Sequence, residues 1–385
     1  MSMWQPILIF AVSLALILGL FIFRISSLPS GIAKIERQTA TDSSSLKAIV
    51  DKPLNAPYKT AVYLVNKLHF NVPSGRVLSA TIAVVAIFLF YKFLLYFVKP
   101  LAAKLGTLLF ATSSALLNNG RLASVNIMLL SLFMLLVAGY RMRFHIHHNI
   151  SWLLAALVLG IALYTPGLVY FIILGIVWQY KAMKRDFDPV KGITLLASSI
   201  IFAVLIAPLI YGLVKHPELI RSYLLIPDVM PNIKELVLRF LAVPAGILAF
   251  APKNPAFRLG RQALLDAFSV VMMLLGVYTL LRHYKLDRLK LLLAIFILGT
   301  LLVVISGDYE YSFILVPFVY FIVTIGLNTF LKFWRDVFPF NPLARSLAVS
   351  LLIVSVLVSV NFQTRRYFIA WSHNHETKAV FTPTK

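Results

Sequence analysis

The chain alternates long apolar stretches with short polar segments, and this pattern predicts eleven membrane-spanning helices. Apolar runs of about twenty residues match the thickness of the hydrocarbon layer of a bilayer. We therefore expect an all-α fold, a polytopic transmembrane helical bundle. The predicted spans are residues 5–24, 77–98, 101–117, 122–140, 151–164, 168–178, 192–214, 263–281, 290–306, 312–331 and 345–361.

Two long polar loops interrupt this pattern, at residues 25–76 and 215–262. Pro and Gly divide the first loop into short segments. The spacing of its apolar residues over 58–70 predicts an amphipathic helix at the membrane interface. In the second loop, residues 236–250 are predicted to form a re-entrant or interfacial helix. With a tail at 362–385, we expect one domain over residues 1–385.

Composition excludes several classes of protein. Charged residues make up 13% of the chain, against about 25% in a soluble domain, and 60% of the residues are hydrophobic. The chain has no cysteine, which excludes disulfides, thiol catalysis and cysteine metal sites. Its net charge of +22 would suggest nucleic acid in a soluble protein. In a membrane protein it favours contact with anionic headgroups and lipid phosphates instead, so we expect no nucleic-acid partner.

The distribution of Lys and Arg predicts the orientation in the cell membrane. The short loops at 99–104, 141–148, 181–191, 282–290 and 332–345 are basic, whereas the turns at 118–121, 164–167 and 306–311 carry one Arg in total. Basic short loops mark the cytoplasmic side. We therefore expect a cytoplasmic N-terminus and place both long loops and the C-terminal tail outside the cytoplasm.

A basic cluster lies just before the eighth span. Arg258 and Arg261 fall in the second outer loop beside the membrane. Guanidinium groups bind phosphate oxygens with two parallel hydrogen bonds, so the pair fits a lipid phosphate. Ordinary flanking charge explains the cluster equally well.

Several short motifs carry a family resemblance. Together they resemble the GT-C fold glycosyltransferases of the protein-mannosyltransferase and aminoarabinose-transferase type. This chain departs from that family at Ile35, where an Asp is usual, and at Asn126, where an acid is usual. The motifs are Leu28–Gly31 with Glu36, Asn55–Tyr58, Gly75–Ser79, Ser113–Asn126 with Arg121, Leu264–Phe268 with Leu275–Val277, and Asp308–Tyr311 through Pro317.

The resemblance implies sugar transfer from a polyprenyl-phosphate-linked donor to a glycan, lipid or protein acceptor on the outer face, without a nucleotide. It places Glu36 in the outer cavity near Arg121, as the candidate general base that removes a proton from the acceptor hydroxyl. The candidate substrate-binding residues are Arg121, Asn126, Asp308, Glu310, Arg258 and Arg261.

Two other functions stay open. A transporter is disfavoured because the spans contain few charges and no inverted repeat is visible. A non-catalytic lipid-binding scaffold with the same fold remains possible because two of the family's acids are missing. His145, His147 and His148 have no nearby carboxylate, and His373 and His375 lie in the tail. We interpret both groups as solvated segments, so a divalent metal is possible but not indicated.

Overall fold

The computed structural model describes residues 15–67, 74–144, 148–187, 192–283 and 287–381. Within these ranges every named element is helical, and the only β-bridge, between Phe250 and Gln262, belongs to no strand. The predicted all-α class is confirmed. Part of the first predicted span (5–14), and His145 and His147, lie outside the described residues, as does the side chain of His148.

Helices occupy both the predicted spans and the two long loops. Two 3-10 segments, Val125–Leu130 and Tyr309–Leu315, precede helices, and a π-helical segment, Arg366–Trp371, follows one. In chain order the helices are α1 (15–22), α2 (Lys34–Asp42), α3 (Leu46–Asp51), α4 (Ala56–Lys67), α5 (Ser74–Leu94), α6 (Pro100–Thr112), α7 (Ser114–Gly120), α8 (Ser131–Phe144), α9 (His148–Ala162), α10 (Leu168–Phe187), α11 (Gly192–Lys215), α12 (Leu219–Tyr223), α13 (Ile233–Leu248), α14 (Ala267–Arg282), α15 (Asp287–Ser306), α16 (Val316–Val337), α17 (Pro342–Arg365) and α18 (His375–Val380).

Each predicted span coincides with a helix or a broken helix in the described residues. Five helical stretches are long and apolar enough to cross a membrane, and α6 with α7, bent by 56°, makes a sixth. Shorter apolar helices cover 125–139, 149–162, 168–178 and 267–282. The chain is therefore a multi-pass membrane protein, and the count of eleven spans stays a prediction.

The break between α6 and α7 falls inside the protein core. Ser113 ends α6 and begins α7, where its hydroxyl accepts a hydrogen bond from the Leu116 amide at 3.4 Å. Serine is favoured at such a position because it satisfies an amide that has no partner within the helix. The break turns the buried helix α7 towards the outer loops.

Helices α14 and α16 meet with their backbones almost in contact. A Cβ atom added at Gly326 would lie 1.8 Å from the Met272 carbonyl oxygen, and one at Gly276 would lie 2.1 Å from the Ile322 carbonyl oxygen. Glycine allows this approach, which is common where transmembrane helices pack tightly. The first turn of α16 also contributes to the wall of the candidate site.

The two predicted interfacial helices are present. Helix α4 covers most of the predicted 58–70 segment, and α13 covers most of 236–250. Six residues of α13 expose large apolar side chains, as a helix at a lipid interface does. These residues are Ile233, Val237, Leu238, Phe240, Leu241 and Leu248.

The first outer loop is held together by polar contacts. The Lys59 ammonium lies 3.0 Å from the Lys52 carbonyl oxygen and 3.5 Å from an Asp42 carboxylate oxygen. Burial lowers the pKa of Lys59, and the nearby Asp42 carboxylate opposes that shift. The loop is thus a folded layer rather than an open polar segment.

All six segments predicted to lie outside the cytoplasm contact one another. The first loop reaches the others through the Asn55 amide, 2.8 Å from the Tyr164 carbonyl oxygen, and through Asp51, 2.8 Å from the Lys215 ammonium. Further contacts join Asn118 to Phe257, Pro166 to Tyr311, Arg258 to Glu310, and Lys253 to Glu376. This grouping agrees with the predicted alternation of sides. Which side is cytoplasmic stays a prediction.

Candidate functional site

A buried ion pair joins the second outer loop to the turn before α16. The Arg258 Nη2 atom lies 2.6 Å from both carboxylate oxygens of Glu310, and Asn254 donates a further hydrogen bond to Glu310 at 3.0 Å. The side chains of Arg258 and Glu310 are 12% and 14% exposed. Two of the residues singled out from the sequence therefore lie in contact, although 52 positions separate them.

Local geometry positions Glu310. It lies in the 3-10 segment Tyr309–Leu315, and the Asp308 carboxylate caps that segment by accepting a hydrogen bond from the Glu310 amide at 2.9 Å. Gly307, just before Asp308, has a φ of 70°. That backbone conformation favours glycine and allows the sharp turn out of α15. Asp308 is exposed and supports the segment from outside.

An aromatic platform supports Arg258. The guanidinium lies 4.7 Å from the centroid of the Tyr309 ring, and its Nη1 donates to the Pro252 carbonyl oxygen at 2.8 Å. Tyr309 fits there because Gly246 in α13 has no side chain: a Cβ at that position would lie 1.6 Å from the Tyr309 hydroxyl oxygen. The stack and the ion pair together hold the guanidinium in place.

A cavity of about 60 Å³ opens beside this pair. That volume is enough for a few water molecules or for one compact anionic group. Its walls come from α7, α13, the segment after α13, the 3-10 segment before α16, the first turn of α16, and the start of the π-helical segment that follows α17. Polar groups on these walls belong to Ser114, Asn119, Arg258, Gln262, Tyr309, Glu310, Ser312 and Arg366.

Sequence reasoning missed Arg366 as a site residue. It follows the last span directly and is the second of two consecutive arginines, so it resembled flanking charge. The structure buries it to 7% exposure at the cavity wall, whereas its neighbour Arg365 is exposed. The π-helical segment that starts at Arg366 gives no signal that could be recognised in the sequence.

Glu36 lies in a different buried ion pair. Its Oε1 is 2.7 Å from Arg76 Nε, and its Oε2 is 2.8 Å from Arg76 Nη2. The amides of Ala123 and Ala33 complete the arrangement by donating to the same oxygens at 3.0 and 3.1 Å. Both oxygens of this 5% exposed residue thus have two partners each.

This geometry differs from the expectation for Glu36. The sequence placed its carboxylate in the outer cavity near Arg121, but the structure pairs it with Arg76 and leaves it outside the residues that line the cavity. The physical reason is that burying the Arg76 charge, which is 1% exposed, is costly, and the Glu36 carboxylate offsets that cost with two short hydrogen bonds. A base must have an oxygen free to receive a proton, so a catalytic role for Glu36 stays a prediction that this arrangement does not favour.

The guanidinium of Arg121 is also hydrogen-bonded to acceptors within the protein. Its guanidinium donates to the main-chain oxygens of Leu20, Phe21 and Phe23 at 2.7, 3.0 and 2.6 Å, and to the Tyr367 hydroxyl at 3.1 Å. The residue is 0% exposed. These bonds satisfy carbonyl groups where the first span ends, so Arg121 joins that end to α7 and the π-helical segment.

The remaining predicted site residues do not reach the cavity. Asn126 is half-buried in the 3-10 segment Val125–Leu130, and Arg261 is exposed next to the segment that carries Arg258. Neither lines the cavity. Asp266 caps α14 by accepting a hydrogen bond from the Ser269 amide at 3.0 Å, and it does not line the cavity either. In the described residues, no three His, Asp or Glu side chains cluster as metal ligands do.

Comparison with solved structures identifies the architecture. The chain superimposes on the crystal structure of ArnT from Cupriavidus metallidurans in the apo state, with a TM-score of 0.63, 13% identity, and coverage of 99% of this chain and 78% of that one. It also superimposes on the same enzyme bound to undecaprenyl phosphate, with a TM-score of 0.60, 14% identity, and coverage of 98% and 78%.

The chain has the GT-C fold. No protein-family profile and no curated protein match the sequence. At 13–14% identity the likeness concerns the fold, so the chemistry of this GT-C chain has to be argued from its own residues.

Proposed function

We propose that this GT-C protein is a membrane glycosyltransferase that moves a sugar from a polyprenyl-phosphate-linked donor to an acceptor on the extracytoplasmic face. The observation that carries the proposal is the cavity where Arg258 and Glu310 meet among the outer segments. A cation for the departing phosphate and a carboxylate for the acceptor proton are the two groups that such a transfer needs. In support, one solved neighbour is an ArnT bound to undecaprenyl phosphate.

The charged residues in and beside the cavity have separate roles in this proposal. Arg258 contacts the lipid phosphate, because its fork of donors is held over Tyr309 and its carboxylate partner can release it. Arg261, exposed beside it, attracts the phosphate at the rim. Glu310 accepts the proton from the acceptor hydroxyl, and Asp308 holds the segment that carries it.

The first outer loop has a supporting role. Arg121 and the Glu36–Arg76 pair fix the end of the first span and the start of α2 against α5 and α7. They are positioning residues because they touch the protein rather than the cavity. We also propose that Asn126 contacts the substrate. Its side chain is half-buried, and it lies three residues after Ala123, whose amide bonds Glu36.

The proposal is tested by reconstitution. Purified protein in liposomes that contain an undecaprenyl-phosphate-linked sugar and a cell-envelope acceptor should release undecaprenyl phosphate, detected by mass spectrometry. Glu310→Gln should lower the rate by about a hundred- to ten-thousandfold, as loss of a general base does. The control is Glu376→Gln, an exposed carboxylate of the tail paired with Lys253, which should turn over normally.

A second candidate is a non-catalytic lipid-binding protein of the same fold. Two observations favour it: Ile35 stands where the family has an Asp, and both oxygens of Glu36 are occupied. This candidate predicts binding of undecaprenyl phosphate without release from any donor. If no donor and acceptor pair supports turnover and the Arg258→Gln variant still loses lipid binding, the scaffold replaces the enzyme.

A further inference from the structure

Arg366 is a buried cation that faces the cavity without a carboxylate partner. It is 7% exposed and lines the cavity together with Arg258 and Glu310. Among the described residues it forms no ion pair, and its hydrogen bond runs from Nη1 to the Ala263 carbonyl oxygen at 2.7 Å. A guanidinium carries five donors, so most of its binding capacity is directed at no protein acceptor.

Nearby carboxylates are already engaged. Asp266 accepts from the Ser359 hydroxyl at 2.6 Å and from the Ser269 hydroxyl at 3.1 Å, and Gln363 donates to the same oxygen at 3.3 Å. Glu310 is bound by Arg258. Among the described residues neither carboxylate forms an ion pair with Arg366, although the negative charge of Asp266 still acts on it through space.

An unpaired buried charge is costly, and the cost indicates a function. Removing an ion from water costs several kcal/mol in real proteins unless another charge or strong hydrogen bonds compensate. Ionisable residues buried in membrane proteins commonly mark a substrate path. Arg366 also begins a π-helical segment, a distortion that is frequent at functional sites.

The charges around the cavity define the ligand. Among the charged residues that line the cavity, Arg258 and Glu310 neutralise each other, so Arg366 leaves the lining with one net positive charge. The Asp266 carboxylate acts on Arg366 from outside the lining. A lipid-linked sugar phosphate is a phosphodiester with one negative charge, and a cavity of about 60 Å³ has room for its phosphate group. We infer that Arg366 binds the phosphate of the lipid-linked ligand. The identity of that ligand rests on the proposed function.

The same charges would match the change in the charge of the phosphate during sugar transfer. The acceptor oxygen forms a bond to the sugar carbon as the bond from that carbon to the phosphate oxygen breaks, and the phosphate leaves with the electron pair. The acceptor proton passes to Glu310, which becomes neutral and releases Arg258. Two free cations then meet a phosphate monoester of charge near −2. The charges of the cavity lining and of the ligand therefore balance both before and after transfer.

Binding of undecaprenyl phosphate to the purified full-length protein tests this inference without requiring turnover. Arg366→Gln should weaken binding roughly ten- to a hundredfold, because a charge-assisted pair of hydrogen bonds is lost. Uncharged undecaprenol should bind the variant and the native protein equally. Arg365→Gln is the matched control: it removes the same charge from the neighbouring, exposed position and should bind as the native protein does.

A second variant and a second ligand keep the test decisive. If Arg366→Gln fails to fold, Arg366→Lys is measured in its place. The Lys variant retains the charge but lacks the fork of donors, so its affinity for undecaprenyl phosphate should fall several-fold. Inorganic phosphate that competes with undecaprenyl phosphate only when Arg366 is present supports a site for the phosphate group itself. Failure to compete, with Arg366 still required, supports recognition of the lipid phosphate as a whole.

Two results separate this inference from the proposed function. Unchanged affinity for undecaprenyl phosphate in both Arg366 variants overturns the inference, even if sugar transfer is measured. Arg366-dependent binding without transfer from any donor supports the inference and refutes the enzymatic proposal.

Discussion

Replacing Glu36 by Gln should destabilise the fold of the first outer loop rather than remove a catalytic base. The carboxylate accepts four hydrogen bonds, two from Arg76 at 2.7 and 2.8 Å and two from main-chain amides at 3.0 and 3.1 Å. Gln would keep one acceptor oxygen and turn an amide N–H₂ group towards a donor. Arg76, 1% exposed, would be left as a buried charge without a counter-ion.

The expected magnitude follows from that geometry. Breaking a buried ion pair by removing one partner costs about 3–5 kcal/mol. Arg76 also donates to the carbonyl oxygens of Ile25, Pro29 and Gly31, so a shift of its side chain would disturb the whole turn that leads into α2. Since the free energy of unfolding of a protein is only about 5–15 kcal/mol, the variant should lose a large part of its stability.

Thermal unfolding in detergent, followed by a fluorescent reporter, measures this loss. Glu36→Gln should unfold on the order of 5–10 °C below the native protein. Glu235→Gln is the control, because its partly exposed pair with Arg239 is worth about 1 kcal/mol or less. Native-like unfolding of Glu36→Gln, together with a hundredfold or greater loss of sugar transfer, would refute this reasoning and return the base role to Glu36.

Two further predictions concern orientation and the site. A cysteine at the exposed Ser44 should react with an impermeant thiol reagent in intact cells, whereas one at the exposed Phe340 should not; the opposite pattern would reverse the predicted topology. Gly246→Ala should displace Tyr309, cost about 1–3 kcal/mol by overpacking and weaken binding of undecaprenyl phosphate, whereas Gly175→Ala, which meets open space, should do neither. Native-like affinity in Gly246→Ala would show that the Tyr309 platform is dispensable.

The sequence predicted the helices well because hydrophobic length is a local property. The spans and the interfacial helices α4 and α13 follow from runs and spacings of apolar residues. The breaks were harder to predict. The bend at Ser113 and the π-helical segment at Arg366 depend on packing between helices that are far apart in the chain.

The sequence indicated some of the charged residues at the candidate site but not the ion pairs that they form. Arg258 and Glu310 were both identified as candidates, but nothing in the sequence indicated that they would pair. Glu36 was assigned to the cavity because of its place in a motif, and its pairing with Arg76 depends on how the first loop folds over α5. Arg366 went unnoticed because its neighbour Arg365 is ordinary flanking charge. A sequence identifies charges, whereas the fold decides which of them remain unpaired.

The close contact between α14 and α16 has a mechanical consequence. Since Gly276 and Gly326 bring backbone against backbone, neither helix can slide or rotate without a steric clash. The first turn of α16 also lines the cavity, so this pair gives the cavity one immobile wall. The facing wall, formed by α13 and the segment that carries Arg258, is held by side chains instead: Arg258 bonds Glu310, and Arg239 of α13 bonds the Val304 carbonyl oxygen of α15. Any change in the shape of the cavity therefore has to come from these side-chain contacts and not from a movement between α14 and α16.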